Sequence, residues 1–364
     1  MRCEDSIMKK TILIAVAVLI VLTATGYLFI SNPPHWLLDA AAKNVLTGMR
    51  LKVDDGLHAV LVGTGSPLSD IKRVGPCIAV IAGKKLFAVD TGDGSARNFR
   101  LAGLPIGALD AVFLTHYHSD HIGGLGEMML QRWAAGAHKK PLDIIGPTGV
   151  ELVVDGFNRA YKLDTKYRIA HHGEKTVPPS GAGGKAMPFA LSDKEKDFAV
   201  VYDKDGVKVT AFNVVHLPVK PACGYKFEYK GRSIVISGDA AYSESVAGQA
   251  TGADVLIHDA LSPRLVNIIH DNSALLADVT IGKITKDILN YHASPKQAAQ
   301  VAQKAGVKQL VLTHIIPPLP SSLLKNAFLG DAQNYYQGKI VMGVDGMLIS
   351  LPSNTDSIKI RKLF

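Results

Sequence analysis

The chain has 364 residues, of which 47% are hydrophobic and 20% charged, a composition typical of a packed globular protein and not of a disordered one. The formal net charge is +8, but Lys and Arg are spread along the chain, so nucleic acid is not an expected partner. No two of the three cysteines, Cys3, Cys77 and Cys223, form a C-x-x-C pair, which argues against a thiolate zinc site and leaves open whether Cys77 and Cys223 pair.

The N-terminal segment is predicted to be a membrane anchor. Residues 11–30, TILIAVAVLIVLTATGYLFI, contain no charged side chain, and a helix of this length spans the ~30 Å hydrocarbon core of a bilayer. Residues 1–30 are therefore interpreted as a signal anchor, with a cleavable signal peptide as the alternative. The remainder is expected to be periplasmic or otherwise extracytoplasmic, either held at the membrane through residues 11–30 or secreted after cleavage.

The remaining sequence is expected to form a short linker at residues 31–55, one α/β domain at residues 56–352 and a C-terminal tail at residues 353–364. Short runs rich in Val, Ile and Phe predict strands at residues 57–63, 77–83, 85–92, 111–116, 142–146, 207–215, 224–230, 233–239, 254–260 and 309–314. Helical periodicity and capping residues predict helices at residues 95–103, 121–135, 148–162, 294–305 and 321–330.

Strands and helices interleave, which favours an α/β fold with an αββα sandwich of two mixed β-sheets flanked by helices. The stretch at residues 173–200 is rich in Gly and Pro and has no periodicity. It is interpreted as a long loop.

Metal-binding side chains recur where hydrophobic runs end. The motif THYHSDH crowds three histidines and an aspartate into six residues, and four later hydrophobic runs also reach a His or Asp. Strands that end on the same side bring such residues together on a rigid rim. The five residues at these ends are His116, His216, Asp239, Asp259 and His314.

The pattern predicts two zinc ions, because imidazole and carboxylate are the donors that zinc prefers and a carboxylate offers two oxygens for bridging. Residues 116 and 118 point the same way in an extended segment, whereas residues 120 and 121 follow at a turn. We call the three side chains expected at one ion the first ligand set and those at the other the second ligand set. The first comprises His116, His118 and His216, the second comprises Asp120, His121 and His314, and Asp239 bridges them.

At these residues the sequence resembles the metallo-β-lactamase fold. LTHYHSDHIGG resembles its H-x-H-x-D-H signature, VGTGSPLSDIKRVGPCIAV its opening hairpin, and FAVDTGDG its second strand pair. LIHDA and YHASPKQAAQVAQKAGVKQLVLTH are similar to the H-E-A-T and H-S-T-A segments of the tRNA 3′-processing endonuclease, tRNase Z. The short interval between His216 and Asp239 is similar to that of arylsulfatase-type relatives.

The resemblance implies a catalytic domain that is a dinuclear zinc hydrolase, with Mn²⁺ or Fe as other candidate metals. It would use a metal-bridged hydroxide, oriented by Asp120, to cleave a phosphodiester, sulfate ester or related bond in a small anionic or ester substrate. By analogy with the family's Glu–His pair, His292 would be the general acid and Asp259 would orient its ring. Asp90 is a candidate to hydrogen-bond a ligand histidine from behind.

Alternatives stay open at this point. A lactonase or β-lactamase-type hydrolase, or a non-hydrolytic di-metal member of the fold, would use the same scaffold. The sequence also departs from tRNase Z, since Asp259 stands where the family has Glu and no counterpart of the arm that clasps tRNA is visible. His258, one residue before Asp259 in a strand, is expected on the opposite face and is interpreted as structural. The oligomeric state is not indicated.

Overall fold

In a computed structural model, the described residues are 16, 18, 19, 21–23, 25–27, 29–47, 50–192, 194 and 196–364. The chain divides into two compact units, Met1–Arg50 and Leu51–Phe364. The first contains helix α1, His35–Thr47. The second contains fifteen strands among its described residues.

The predicted membrane anchor falls in part outside the described residues, at positions 11–15, 17, 20, 24 and 28. Among the residues that are described, no helix combines the length and the apolar character needed to cross a bilayer.

The first sheet has eight strands in the order β15-β14-β1-β2-β3-β4-β5-β6. Adjacent strands in this order are antiparallel from β15 to β3 and parallel from β3 to β6. The strands are β1 Gly56–Gly63, β2 Cys77–Ala82, β3 Lys85–Val89, β4 Ala111–Phe113, β5 Leu142–Pro147, β6 Gly184–Phe189, β14 Met347–Pro352 and β15 Lys359–Lys362.

The second sheet has seven strands in the order β13-β12-β11-β10-β9-β8-β7. It is antiparallel from β7 to β10 and parallel from β10 to β13. The strands are β7 Phe198–Lys204, β8 Val207–Asn213, β9 Cys223–Tyr229, β10 Arg232–Ile236, β11 Val255–Leu261, β12 Gln309–Ile316 and β13 Lys339–Met342. The fold is therefore α/β with two mixed sheets, as predicted.

Within the second unit, helices pack on the outer face of each sheet, α2, α4 and α5 on the first and α7, α10 and α11 on the second. The helices described in this unit are α2 Ser95–Leu101, α3 Ser119–Ile122, α4 Leu125–Gly136, α5 Val150–Ala160, α6 Lys162–His172, α7 Glu244–Gln249, α8 Pro263–Leu275, α9 Val279–Asp287, α10 Pro295–Ala305 and α11 Lys325–Leu329. Helix α10 begins with a capping box at Ser294 and ends at Gly306 in the left-handed conformation, as its sequence predicts.

Three apolar cores explain why the sequences of the strands are nearly continuous hydrophobic runs. In β1, Leu57, Ala59 and Leu61 pack between the two sheets, whereas Val60 and Val62 pack beneath the helices of the first sheet. A third core joins the second sheet to α7, α10 and α11. Because both faces of β1 are covered, every residue in it is buried, as is usual in layered α/β proteins.

Several elements at the sheet edges were not predicted from the sequence. Residues 173–200 do not form one long loop, because they contain β6 and the start of β7. Strand β6 is an edge strand that contains a proline, Pro188, and whose side chains are exposed or half-buried, so it lacks the hydrophobic pattern that marks a buried strand. Residues 353–364, expected as a tail, contain β15, which pairs with β14. Cys77 and Cys223 are buried free thiols.

We expect Phe113→Ala in β4 to destabilise the protein by about 3–5 kcal/mol, the usual cost of removing a buried phenylalanine. Phe113 is 0% exposed, and its ring meets those of Phe87, Tyr225 and Phe227 at centroid distances of 5.6, 5.3 and 5.4 Å. Urea unfolding measures the change. Leu152→Ala is the control, since Leu152 is 81% exposed; equal losses for both variants would contradict the packing described here.

Candidate metal centre

The candidate ligands lie in segments that follow strands on one edge of the sandwich. Three of the strands, β10, β11 and β12, are parallel neighbours, so their carboxyl ends share that edge. Asp239 lies three residues after β10, whereas Asp259 and His314 lie near the ends of β11 and β12. Gly238, with φ of +64°, lets the segment after β10 approach Thr115, because an added Cβ would lie 2.9 Å from the Cys223 carbonyl oxygen and 3.0 Å from Thr115.

The side chains of the first ligand set converge. The Nε2 atom of His116 lies 3.0 Å from Nδ1 of His118, and Nε2 of His216 lies 3.4 Å from the same Nδ1 atom. One donor atom from each of these residues and from Asp239 lies within 4.8 Å of the others. Three ring nitrogens that face one another at this distance leave a common point at which an ion fits.

The second ligand set converges beside it. Nε2 of His314 lies 3.2 Å from Oδ2 of Asp120, and Nε2 of His121 lies 3.5 Å from the same oxygen. The donor atoms of these three residues also lie within 4.8 Å of one another.

Asp239 stands between the two sets. Its Oδ2 atom lies 3.2 Å from Nε2 of His121 and 3.3 Å from Nε2 of His314, and 3.8 and 3.9 Å from Nε2 of His116 and His216. Asp239 is only 3% exposed. One buried carboxylate oxygen is therefore within about 4 Å of four imidazole nitrogens, two from each set.

The outer nitrogens of three ligand histidines are held by groups behind the site. His121 Nδ1 donates to Asp90 Oδ2 at 2.8 Å, and His216 Nδ1 donates to the Tyr291 carbonyl oxygen at 2.9 Å. Thr115 Oγ1 lies 3.0 Å from His116 Nδ1 and donates to Asp90. With Nδ1 engaged by these outer groups, Nε2 of each ring is directed inwards, which is the arrangement found behind metal-binding imidazoles.

The histidine pKa values shift in opposite directions in the two ligand sets. Burial lowers the pKa of all three histidines in the first ligand set, so their imidazoles are neutral donors at pH 7. Burial acts in the same direction on His121 and His314, but Asp239 and the neighbouring carboxylates outweigh it and raise the pKa of both. Burial alone would raise the pKa of the Asp239 carboxyl, but His121 and His314 hold it well below its ordinary value.

Two candidate site residues adopt left-handed backbone conformations that side chains other than glycine rarely take. His314 has φ of +48° and Asp90 has φ of +58°. His314 also lies at a register shift between β11 and β12, where Asp259 pairs with Thr313 and Ala260 with Ile315. A bulge of this kind turns one side chain out of its regular alternation, and here that side chain is a candidate ligand.

Asp259 and His292 form a buried pair next to the second ligand set. His292 Nδ1 donates to Asp259 Oδ2 at 2.9 Å. The His292 ring stacks on that of His314, with centroids 5.2 Å apart and an interplanar angle of 24°. A donor atom of His292 also lies within 4.8 Å of Asp239 and His314.

All ten candidate site residues therefore lie together, and the structure adds partners that the sequence analysis missed. Thr115 and the Tyr291 carbonyl oxygen hold ligand histidines, and His258 contacts Asp259. One signal was available for Thr115, because the dipeptide Leu-Thr precedes both His116 and His314. Nothing in the sequence marks a backbone carbonyl as a partner.

The donor set fits divalent metal ions. Among the described residues, the buried atoms His121 Nε2 and Asp239 Oδ1 have no hydrogen-bond partner, and a buried polar atom without a partner costs about 1–3 kcal/mol. A cation at this position would satisfy both atoms. Neutral imidazoles and carboxylates are donors that zinc accepts.

Comparison with known proteins gives a consistent result. A family profile described as "Beta-lactamase superfamily domain" matches residues 87–315. The ribonuclease Z of Mycobacterium bovis (strain BCG / Pasteur 1173P2) is 35% identical over 291 residues, which cover 79% of this chain and 96% of that protein.

Among solved structures, the metallo-β-lactamase fold protein YhfI from Bacillus subtilis has a TM-score of 0.57 and 18% identity, with coverage of 81% of this chain and 99% of that one. The short form of human tRNase Z has a TM-score of 0.56 and 21% identity, with coverage of 81% and 99%. At these identities, both structures support the fold alone.

Two expectations from the sequence are corrected by these relatives. The expectation of a small substrate without nucleic acid is wrong, because the matched relatives are named as ribonucleases. The membrane partner expected at residues 11–30 is not supported, since no helix among the described residues is long and apolar enough to cross a bilayer. The exported location, whether membrane-anchored or secreted, is contradicted by the same ribonuclease Z relatives. The location was predicted from the apolar N-terminal run alone. That run carries no information about the substrate of the catalytic domain.

We expect Asp239→Asn to lower bound metal from about two equivalents to about one, because the amide loses the charge and one donor oxygen of a bridging carboxylate. Elemental analysis after dialysis measures the metal content. Asp254→Asn is the matched control, since Asp254 is also buried (4% exposed) but pairs with Arg232 and Lys308 at the start of β11. Two equivalents retained in Asp239→Asn would show that Asp239 does not bridge.

Proposed function

The chain belongs to the metallo-β-lactamase superfamily and is a metal-dependent hydrolase, and we propose on this basis that it cleaves phosphodiester bonds in RNA with two zinc ions. The observation that carries the proposal is the buried Asp239 oxygen within about 4 Å of imidazoles from both ligand sets. The substrate class is supported by the ribonuclease Z relatives, which align over nearly their whole length.

The candidate ligands would bind the two ions as two groups. The first ligand set would hold one ion, the second ligand set the other, and Asp239 would join them. When bound, two zinc ions lower the pKa of a coordinated water toward ~7 and polarise the phosphate oxygens.

Asp120 is suited to orient the attacking water. Its side chain is 11% exposed, against 4% for Asp239 and 1% for Asp259, so of these three carboxylates it is the most accessible from solvent. Its Oδ2 atom faces His314, which leaves Oδ1 to accept a hydrogen bond from the water. This contact would align a lone pair of the water with phosphorus.

His292 is suited to protonate the leaving oxygen. Its Nδ1 proton is engaged by Asp259, so Nε2 is the atom from which a second proton can be transferred. The oxygen of the water bonds to phosphorus and releases one proton to solvent, the bond from phosphorus to the leaving oxygen breaks, and that oxygen takes the Nε2 proton. The Asp259 carboxylate stabilises the charged imidazolium before transfer and holds the ring in one orientation.

We expect the zinc-loaded protein to cleave a transfer RNA precursor with a 3′ extension and bis(p-nitrophenyl) phosphate. A chelator should abolish both activities and zinc should restore them. Gel analysis of the RNA and absorbance of nitrophenol are the measurements. Asp120→Ala should be inactive, which excludes a contaminating nuclease, and Asp143→Asn, at an exposed position in β5, should keep full activity. Turnover of an arylsulfate, a lactone or a cephalosporin without RNA cleavage would reject the proposal.

We expect His292→Ala to slow substrates with poor leaving groups by about 10²–10⁴-fold, the usual contribution of a positioned acid. Nitrophenyl esters should be slowed far less, because nitrophenolate leaves without protonation. Steady-state kinetics on an alkyl and a nitrophenyl phosphodiester give the comparison. His171→Ala, at the exposed end of α6, is the control, and an equal loss on both substrates would rule out leaving-group protonation by His292.

A further inference from the structure

His258 is a buried imidazole that the proposed mechanism does not use. It is 0% exposed and lies in β11 immediately before Asp259. The regular alternation of a strand would place the two side chains on opposite faces. Instead, Nδ1 of His258 lies 2.9 Å from the Asp259 carbonyl oxygen and 2.9 Å from Asp259 Oδ1.

These two contacts differ in kind. The hydrogen bond from Nδ1 goes to the carbonyl oxygen, whereas Oδ1 lies at the same distance without the geometry of a hydrogen bond. The contact with Oδ1 is therefore electrostatic. One N–H group thus holds both the backbone and the side chain of Asp259, which fixes the direction of the carboxylate.

The other contacts of Asp259 complete this arrangement. Its backbone N–H donates to Ser237 Oγ at 3.2 Å, and its Oδ2 atom accepts from His292 Nδ1 at 2.9 Å. Asp259 is 1% exposed, so solvent does not compete for the carboxylate. His258, Asp259 and His292 form a continuous polar chain that ends beside the second ligand set.

Retaining an imidazole at this position carries a cost. Among the described residues, His258 Nε2 has no hydrogen-bond partner, and an unpaired buried nitrogen is unfavourable by about 1–3 kcal/mol. An apolar side chain would fill the same volume without this cost. The contacts made by Nδ1 are what an apolar side chain could not supply.

We propose that His258 is a positioning residue: by clamping Asp259, it fixes the ring orientation and the Nδ1-protonated tautomer of His292. The inference rests on the proposed function, in which His292 is the general acid. Burial by itself would raise the pKa of the Asp259 carboxyl, but His258 and His292 outweigh it and lower the pKa. The carboxylate therefore stays charged and available to His292.

Two polar substitutions separate positioning from simple core packing. In His258→Asn, the amide nitrogen takes the place of Nδ1 and keeps the donor, whereas in His258→Gln the donor moves to the place of Nε2. We expect His258→Gln to lower kcat on a poor leaving group at least tenfold, within the total that an acid contributes, with KM and metal content unchanged. Nitrophenyl esters should be little affected. His258→Asn should restore the rate on the poor leaving group.

His58→Asn is the matched control. His58 is also a buried histidine with one nitrogen on a backbone carbonyl, that of Asp54 at 2.9 Å, and one nitrogen without a partner among the described residues. Its substitution should lower the melting temperature and leave the ratio of rates on the two substrates unchanged. If His258→Gln fails to fold, His258→Leu replaces it, because the apolar side chain also removes the unpaired nitrogen.

A spectroscopic measurement makes the test independent of activity. In the zinc-loaded protein, the proton on His292 Nδ1 should give a slowly exchanging, downfield resonance, assigned by its absence in His292→Ala. We expect His258→Asn to keep this resonance and His258→Gln to lose it by faster exchange. A His258→Gln protein that keeps both the resonance and the substrate ratio overturns the inference. Failure of the proposed function would appear differently, as an unsubstituted protein that does not cleave RNA.

Discussion

The structure depends on one buried negative charge. Asp239 is 3% exposed and has one oxygen without a hydrogen-bond partner among the described residues. Removing an unpaired carboxylate from water costs several kcal/mol, so such a charge persists only where positive charge compensates it. His121 and His314 supply part of that compensation. Divalent cations shared with the first ligand set would supply the rest.

Two residues around this charge have strained backbone conformations. His314 and Asp90 both have positive φ, a conformation that costs residues other than glycine of order 1–3 kcal/mol. At His314 the strain coincides with the bulge between β11 and β12. At Asp90 it accompanies a carboxylate that accepts from His121 and from Thr115. Strain is therefore concentrated where two side chains must be aimed, and the rigid cores beneath support it.

The pair of Asp259 and His292 shows how the fold accommodates a departure from the tRNase Z segment that the sequence resembles. Asp259 is one methylene shorter than the glutamate in the tRNase Z segment that LIHDA resembles, yet its Oδ2 atom reaches His292 Nδ1 at 2.9 Å. Ser237 and His258 hold the backbone of Asp259 on either side. A shorter carboxylate has fewer rotatable bonds, so a fixed backbone largely determines its direction. The buried histidine beside it is therefore part of the same functional unit.

Much of this protein was determined by the sequence itself. Each of the ten predicted strands overlaps an observed one, because buried strands and helix caps are encoded by neighbouring residues. The grouping of His116, His118, Asp120 and His121 followed from spacing alone. Edge strands β6, β7, β13 and β15 escaped prediction, because half-exposed strands carry a weak hydrophobic pattern. Strand β14 also escaped prediction, although it is buried and lies between β15 and β1. The predicted location was also wrong. It was inferred from an apolar run, which carries no information about the substrate.

Only the tertiary structure decided which distant residues meet, and at what angle. Nothing local indicates that Oδ2 of Asp239 lies within 4 Å of four imidazoles, or that the Tyr291 carbonyl holds His216. The assignment of His258 to the face opposite Asp259 assumed regular alternation, but the imidazole contacts the adjacent carboxylate. Periodicity describes a strand by itself, whereas hydrogen bonds between segments far apart in the chain depend on how the sheets and loops pack.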